Sequence, residues 1–200
     1  LGMYPKATKG EADTTAFANN WQGPNDTIEL CYSDGSPEIA AMCKKRGWRH
    51  ATSTPGIPQR NGLAERMVRR CIEGTACQIA QSGLATSWWT ICGPYFANAH
   101  NLTTGFDGKS PYERRLGQPF HGKVAPCGAL VHFIPQPDEK LRKDKFEGRA
   151  VQGIFLGWAM HPGGKWSGDY KIVDWDHLRT QPNEAAEKFI ALLSRQTGTE

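Results

Sequence analysis

The sequence predicts an α/β domain, a mixed sheet with helices, followed by a small antiparallel β-barrel, and three observations predict it. Short apolar segments that read as strands lead directly into segments with helical start and stop signals. The 22 Gly and 13 Pro among 200 residues cut the chain into short elements and argue against a long-helix bundle. Past Pro126 the texture changes to short alternating runs separated by Pro-, Gly- and Lys-rich turns, the pattern of a small barrel.

In order, Gly10 to Trp21 reads as a short helix closed by Gly23-Pro24, and Thr27 to Ser33 as a strand with Ile28, Leu30 and Tyr32 on one face. Ser36-Pro37-Glu38 starts a second helix, with Ser as cap and Pro at its first position, and Gly47 stops it. Trp48 to Thr52 is a short strand, and Ser53 to Arg60, with two prolines and a glycine, is a loop. From Asn61, a good cap, a helix runs to about Gln81, with Ala64, Val68, Cys71, Ile72, Thr75 and Ile79 spaced as one buried face. Ser87 to Thr104 is a second apolar helix that Gly93-Pro94 should kink or break. Ser110-Pro111-Tyr112-Glu113 is a capping box opening a short helix that Gly117 ends. Ala129 to Ile134, Val151 to Leu156 and Tyr170 to Trp175 read as strands, and Pro182 to Glu200 as an amphipathic helix through Ala186, Phe189, Ile190 and Leu193, or as a disordered tail.

With 38% hydrophobic and 22% charged residues the chain is neither a low-hydrophobicity disordered protein nor a coiled coil. No apolar run approaches the roughly 20 residues of a spanning helix, so no membrane partner is expected. Six scattered cysteines without a C-x-x-C pair read as reduced thiols rather than a zinc site. A net charge of +4 permits a polyanionic partner without requiring one.

Asp34 sits at a strand exit and Glu65 in the first turn of a helix, with a helix, a strand and a loop between them. Two carboxylates brought together in this way call for a hard divalent cation, and phosphoryl transfer is the chemistry that fits. The structural alternative is an Asp-Gly turn and a Glu65–Arg69 pair at i, i+4. Arg66, Arg69 and Arg70 beside such a site would clamp phosphates, or form a solvated basic face, and Gln59 and Asn61 of the preceding loop would reach bases or sugars.

The runs Ser33-Asp34-Gly35-Ser36-Pro37-Glu38 and Thr54 to Arg66 (TPGIPQRNGLAER) resemble the second half of the catalytic core of retroviral-type integrases, in the copia-type retrotransposon branch. Lys109 to Glu113 (KSPYE) and Gly153 to Trp158 (GIFLGW) extend the resemblance over about residues 1–178. It implies a ribonuclease-H-like core in residues 1–85 with its first strands missing, a helical connector in 86–122, an SH3-like barrel in 123–180 and a tail in 181–200. It also implies Mg²⁺- or Mn²⁺-dependent 3′-end processing and strand transfer of element DNA into a target. On this resemblance Asp34 and Glu65 are the second and third metal carboxylates of an Asp-Asp-Glu triad whose first member has no counterpart here. Gln59, Asn61, Arg66, Arg69 and Arg70 would contact DNA.

The resemblance further implies a homo-oligomer at full length, working in the nucleus or in a cytoplasmic nucleoprotein particle, and a chain inactive by itself. The other reading is a non-catalytic nucleic-acid-binding or assembly module from a decayed or domesticated element.

Overall fold

The computed structural model describes residues 1–53, 62–134, 150–183 and 190–194, the last as backbone. Gln59, Asn61 and the predicted loop from Thr54 lie outside the described residues, as do Ala186 and Phe189 of the tail. The described chain is mixed α/β, with helices around two small sheets.

The first sheet holds two parallel strands, β1 (Leu30–Ser33) and β2 (Arg49–Thr52), paired from Leu30↔Arg49 to Ser33↔Thr52. They flank α2 (Pro37–Arg46), and α1 (Glu11–Trp21) packs beside it. Pro37 at the first position starts α2, and Gly47, at φ 68°, ends it in the left-handed conformation that glycine adopts without a Cβ clash. A small core joins Ala18, Met42 and Cys43, with Cys31, Ile39 and Trp48 against it.

α3 (Gly62–Ser82) crosses α4 (Trp89–Leu102), which follows a single 3₁₀ turn at Thr86–Trp88. The close crossing depends on Gly74, where a Cβ would lie 2.2 Å from the Phe96 ring. The expected break at Gly93-Pro94 does not occur, and α4 runs through Pro94. Proline there forfeits only its own N–H bond to the Thr90 carbonyl, and burial of Ile91, Cys92, Gly93, Tyr95 and Ala97 holds the helix. α5 (Pro111–Leu116) opens on the expected cap, Ser110 Oγ accepting from Glu113 N at 3.1 Å.

The second sheet is antiparallel, β3 (Leu130–Phe133), β4 (Val151–Met160), β5 (Trp166–Asp174) and β6 (Ile190–Ser194) in that order, with α6 (Trp175–Thr180) between the last two. Among the described residues this sheet is open; β3 and β6 are its edges rather than partners that close a barrel. β6 also corrects the tail: Ile190 to Ser194 pairs with Val173 to Asp169 as a strand instead of continuing a helix. An apolar run of this length satisfies either period, and an available sheet edge decides for the strand. The main core lies between α4 and this sheet, where Trp88, Cys92 and Tyr95 meet Phe155, Leu156, Trp158 and Val173. Tyr95 stacks on Trp158 with centroids 5.3 Å apart, and their polar tips are satisfied by the carbonyls of Ala125 and Lys123.

Candidate functional site

β1 delivers Asp34 to the end of the parallel sheet, and the first turn of α3 delivers Glu65. Both carboxylates line one open groove of about 760 Å³, together with Tyr32, Ser33, Ile39, Val68 and Arg69. Ser36 secures Asp34: its hydroxyl donates to Oδ1 at 2.5 Å and its backbone N–H to the same oxygen at 3.3 Å. These two bonds, with a smaller contribution from His50, hold the Asp34 carboxyl below the usual carboxylate range. His50 is itself tied to the strand end, its Nε2 lying 2.8 Å from Ser33 Oγ.

Two expectations change. Ser36 precedes α2 but makes no side-chain bond to the helix, because its hydroxyl is committed to Asp34. Sequence reading misses this partnership, although an Asp-x-Ser spacing, in which a side chain can bond the backbone two residues on, is the signal that could find it. Arg69 pairs with Glu73 at 3.6 Å rather than with Glu65. That pair is exposed on both sides and worth little, so it leaves Arg69 available at the groove wall.

The predicted buried face of α3 is also corrected. Val68 and Ile72 are 59% and 62% exposed, and Ala64 is exposed, while Thr75 is buried and Ile79 packs on the main core. On β1, Leu30 and Tyr32 are likewise exposed. The apolar stripe therefore splits: its C-terminal end meets α4, and its N-terminal end forms the groove wall.

Arg66 and Arg70 are exposed on α3 outside the groove lining. Arg70 lies close enough to His100 of α4 to help burial lower that imidazole's pKa. Arg66, Arg69 and Arg70 thus form a basic ridge running from the groove toward α4, and a ridge of guanidinium groups suits phosphate oxygens.

The donor chemistry fits a hard cation in part. Asp34 and Glu65 are acceptor-only oxygens when ionised, the ligand type that Mg²⁺ takes, with waters filling the remaining positions. Among the described residues no group of three His, Cys, Asp or Glu side chains converges as a metal site. No helix among the described residues is long and apolar enough to cross a membrane.

Over 151 residues, 72% of its length, the chain is 29% identical to the retrovirus-related Pol polyprotein from transposon TNT 1-94 of Nicotiana tabacum. It is 27% identical over 171 residues, and 26% identical over 176, to the corresponding Pol polyproteins from transposons RE1 and RE2 of Arabidopsis thaliana, each match covering 79% of the chain. Its homologues are retrovirus-related Pol polyproteins of transposons. The chain spans only 10–11% of the length of these relatives. No protein-family model matches it.

Proposed function

We propose that this chain is the part of a copia-type Pol polyprotein that belongs to its integrase, and that the groove between β1 and α3 is part of a DNA strand-transfer site. The observation that carries the reading is the groove itself: Asp34 and Glu65, far apart in sequence, line it beside Arg69. The similarity to transposon Pol polyproteins supports it. On the same reading the parallel sheet and its helices are the later portion of a ribonuclease-H-like core, and the second sheet with its loops is an SH3-like unit.

Asp34 and Glu65 would hold one Mg²⁺ or Mn²⁺. Such an ion, when bound, supplies Lewis-acid polarisation of a phosphodiester oxygen. Ser36 aims Asp34 by donating two hydrogen bonds to one of its oxygens. Arg66, Arg69 and Arg70 bind DNA phosphates and orient the strand along α3, while Gln59 and Asn61 contact the DNA end. The partners are the element ends, the target DNA and, at full length, further copies of the protein, in the nucleus or a cytoplasmic nucleoprotein particle.

The test is strand transfer with Mn²⁺ by a protein carrying this chain in its longer Pol context. Asp34→Asn and Glu65→Gln should each abolish product while leaving DNA affinity intact. Full activity in either variant would remove both residues from the site, and DNA binding with no transfer by the unaltered protein would leave a nucleic-acid-binding module.

A further inference from the structure

Asp34 is exposed and the residue after it is glycine, so the turn that carries the carboxylate has little of its own to hold it. The backbone of Gly35 is outside the left-handed region, and among the described residues beyond its chain neighbours nothing lies within 4 Å of where its Cβ would sit. Neither contact nor strain fixes this residue, and glycine has the widest backbone freedom of any. Its approach is short as well: β1 has four residues, and beyond the paired strands Ser53 N donates to the Ser33 carbonyl at 3.0 Å. Order at Asp34 therefore has to come from side chains.

Two side chains besides Ser36 supply it. The register sets Cys31 opposite His50, so Cys31, Ser33 and His50 lie on one face of the parallel pair, the face on which Cys31 packs against the core of Met42 and Cys43. His50 is thus the diagonal neighbour of Ser33, and both are half-buried. Their side chains meet: His50 Nε2 lies 2.8 Å from Ser33 Oγ, and the same Oγ donates to the Asp34 carbonyl at 2.7 Å. A hydroxyl has one proton to give. With that proton directed to the Asp34 carbonyl, Ser33 can only accept from the imidazole, which puts a hydrogen on Nε2. Bonds then run from His50 through Ser33 to the Asp34 backbone, while Ser36 takes the Asp34 side chain.

We propose that His50 is a positioning residue of the strand-transfer site: through the Ser33 hydroxyl it pins the Asp34–Gly35 peptide plane, and with it the carboxylate that Ser36 aims. The proposal rests on the integrase reading of the groove. In this role His50 acts on the ligand and not on an ion or a DNA strand. What it contributes is a donated N–H rather than a transferred proton, so a side chain that presents an N–H at similar reach can stand in for it, as the amide of glutamine does.

The experiment compares His50→Ala, Ser33→Ala and His50→Gln with the unaltered protein in two measurements. On the full chain without metal, long-range proton–nitrogen NMR spectra of the unaltered imidazole should show a hydrogen on Nε2. Backbone relaxation should show the Gly35 amide loosened in both alanine variants and not in His50→Gln, with circular dichroism unchanged throughout. In the longer Pol context with Mn²⁺, both alanine variants should lower kcat for strand transfer by about tenfold or more while KM for DNA stays within about twofold, and His50→Gln should keep most of the activity. The double alanine variant should be no worse than either single one, because each breaks the same relay. A hydrogen on Nδ1 alone, an ordered Gly35 amide or unchanged kcat in His50→Ala, or a His50→Gln as impaired as His50→Ala would each overturn the proposal. Failure of the underlying reading looks different: Asp34→Asn would then remain active, whereas an inactive Asp34→Asn beside a fully active His50→Ala overturns the role of His50 alone.

Discussion

Ser36 gives both its hydroxyl and its backbone N–H to a single oxygen of Asp34, at 2.5 and 3.3 Å. The residue that sequence would assign to capping α2 instead fixes the carboxylate at the strand exit. Ser36→Ala should therefore raise the Asp34 pKa toward the ordinary value of about 3.9, because the larger of its two bonds to the charged form is lost. The wild-type interaction contributes stability above the unfolded-state pKa, and that contribution fades as pH falls through the lower folded-state value. Carboxyl carbon chemical shifts followed by NMR from pH 6 downward read the change directly. An identical titration in the alanine variant would mean that the hydroxyl bond does not form in solution.

The basic ridge on α3 makes a quantitative demand on DNA binding. If Arg66, Arg69 and Arg70 each meet a phosphate, changing all three to Ala should lower the log–log salt slope by about 0.9 for every phosphate of duplex DNA that is no longer neutralised. Arg69 contributes least if its Glu73 pair persists. Fluorescence anisotropy between about 50 and 200 mM salt checks this. An unchanged slope would move the DNA surface off α3.

Much of the fold is legible in the sequence because its punctuation is local. Pro37 and Gly47 bracket α2, and Ser110 and Gly117 bracket α5, each by a bond or a φ angle that depends on a few neighbouring residues. Burial is less legible, since it depends on what lies opposite. Val68 and Thr75 share one stripe of α3, yet only Thr75 meets α4, and periodicity carries no information about where a partner ends. The Ile190–Ser194 strand escapes a sequence reading for the same reason, its state being set by the open edge of β5. At the groove, Asp34 and Glu65 are visible as chemistry at element ends, but the Ser36 bond and the Arg69–Glu73 pair depend on side-chain positions that spacing leaves open.

The split stripe predicts an uneven cost of mutation. Val68→Ser and Ile72→Ser remove side chains that are mostly in water, so each should change stability by no more than about 0.5 kcal/mol. Ile154→Ala, in the main core at 5% exposure, should cost about 2–5 kcal/mol through lost burial and a residual cavity. Urea unfolding measures all three. A cost above about 2 kcal/mol at Val68 or Ile72 would show that the groove is closed over in solution by some other part of the chain.

The cysteines give an independent check on the packing of α4 against the second sheet. Cys92 and Cys127 are buried with their sulfurs 4.0 Å apart, too far for a disulfide, whose S–S distance is about 2.05 Å. The neighbouring thiol and desolvation push the Cys127 pKa well up, which removes the thiolate that alkylation needs. Cys43 is equally buried, and the Cys31 thiol beside it is pushed up to about 11, here chiefly by burial. Cys77 alone among the six is exposed. Brief iodoacetamide treatment of the reduced native protein should therefore place its first label on Cys77, as located by peptide mass spectrometry, and Cys77→Ser should abolish the fast phase. Cys43, Cys92 and Cys127 should react only when denaturant opens the two cores, their rates rising together with unfolding. Labelling of Cys92 or Cys127 at the rate of Cys77 would mean that α4 separates from the sheet far more readily than a core of this composition allows.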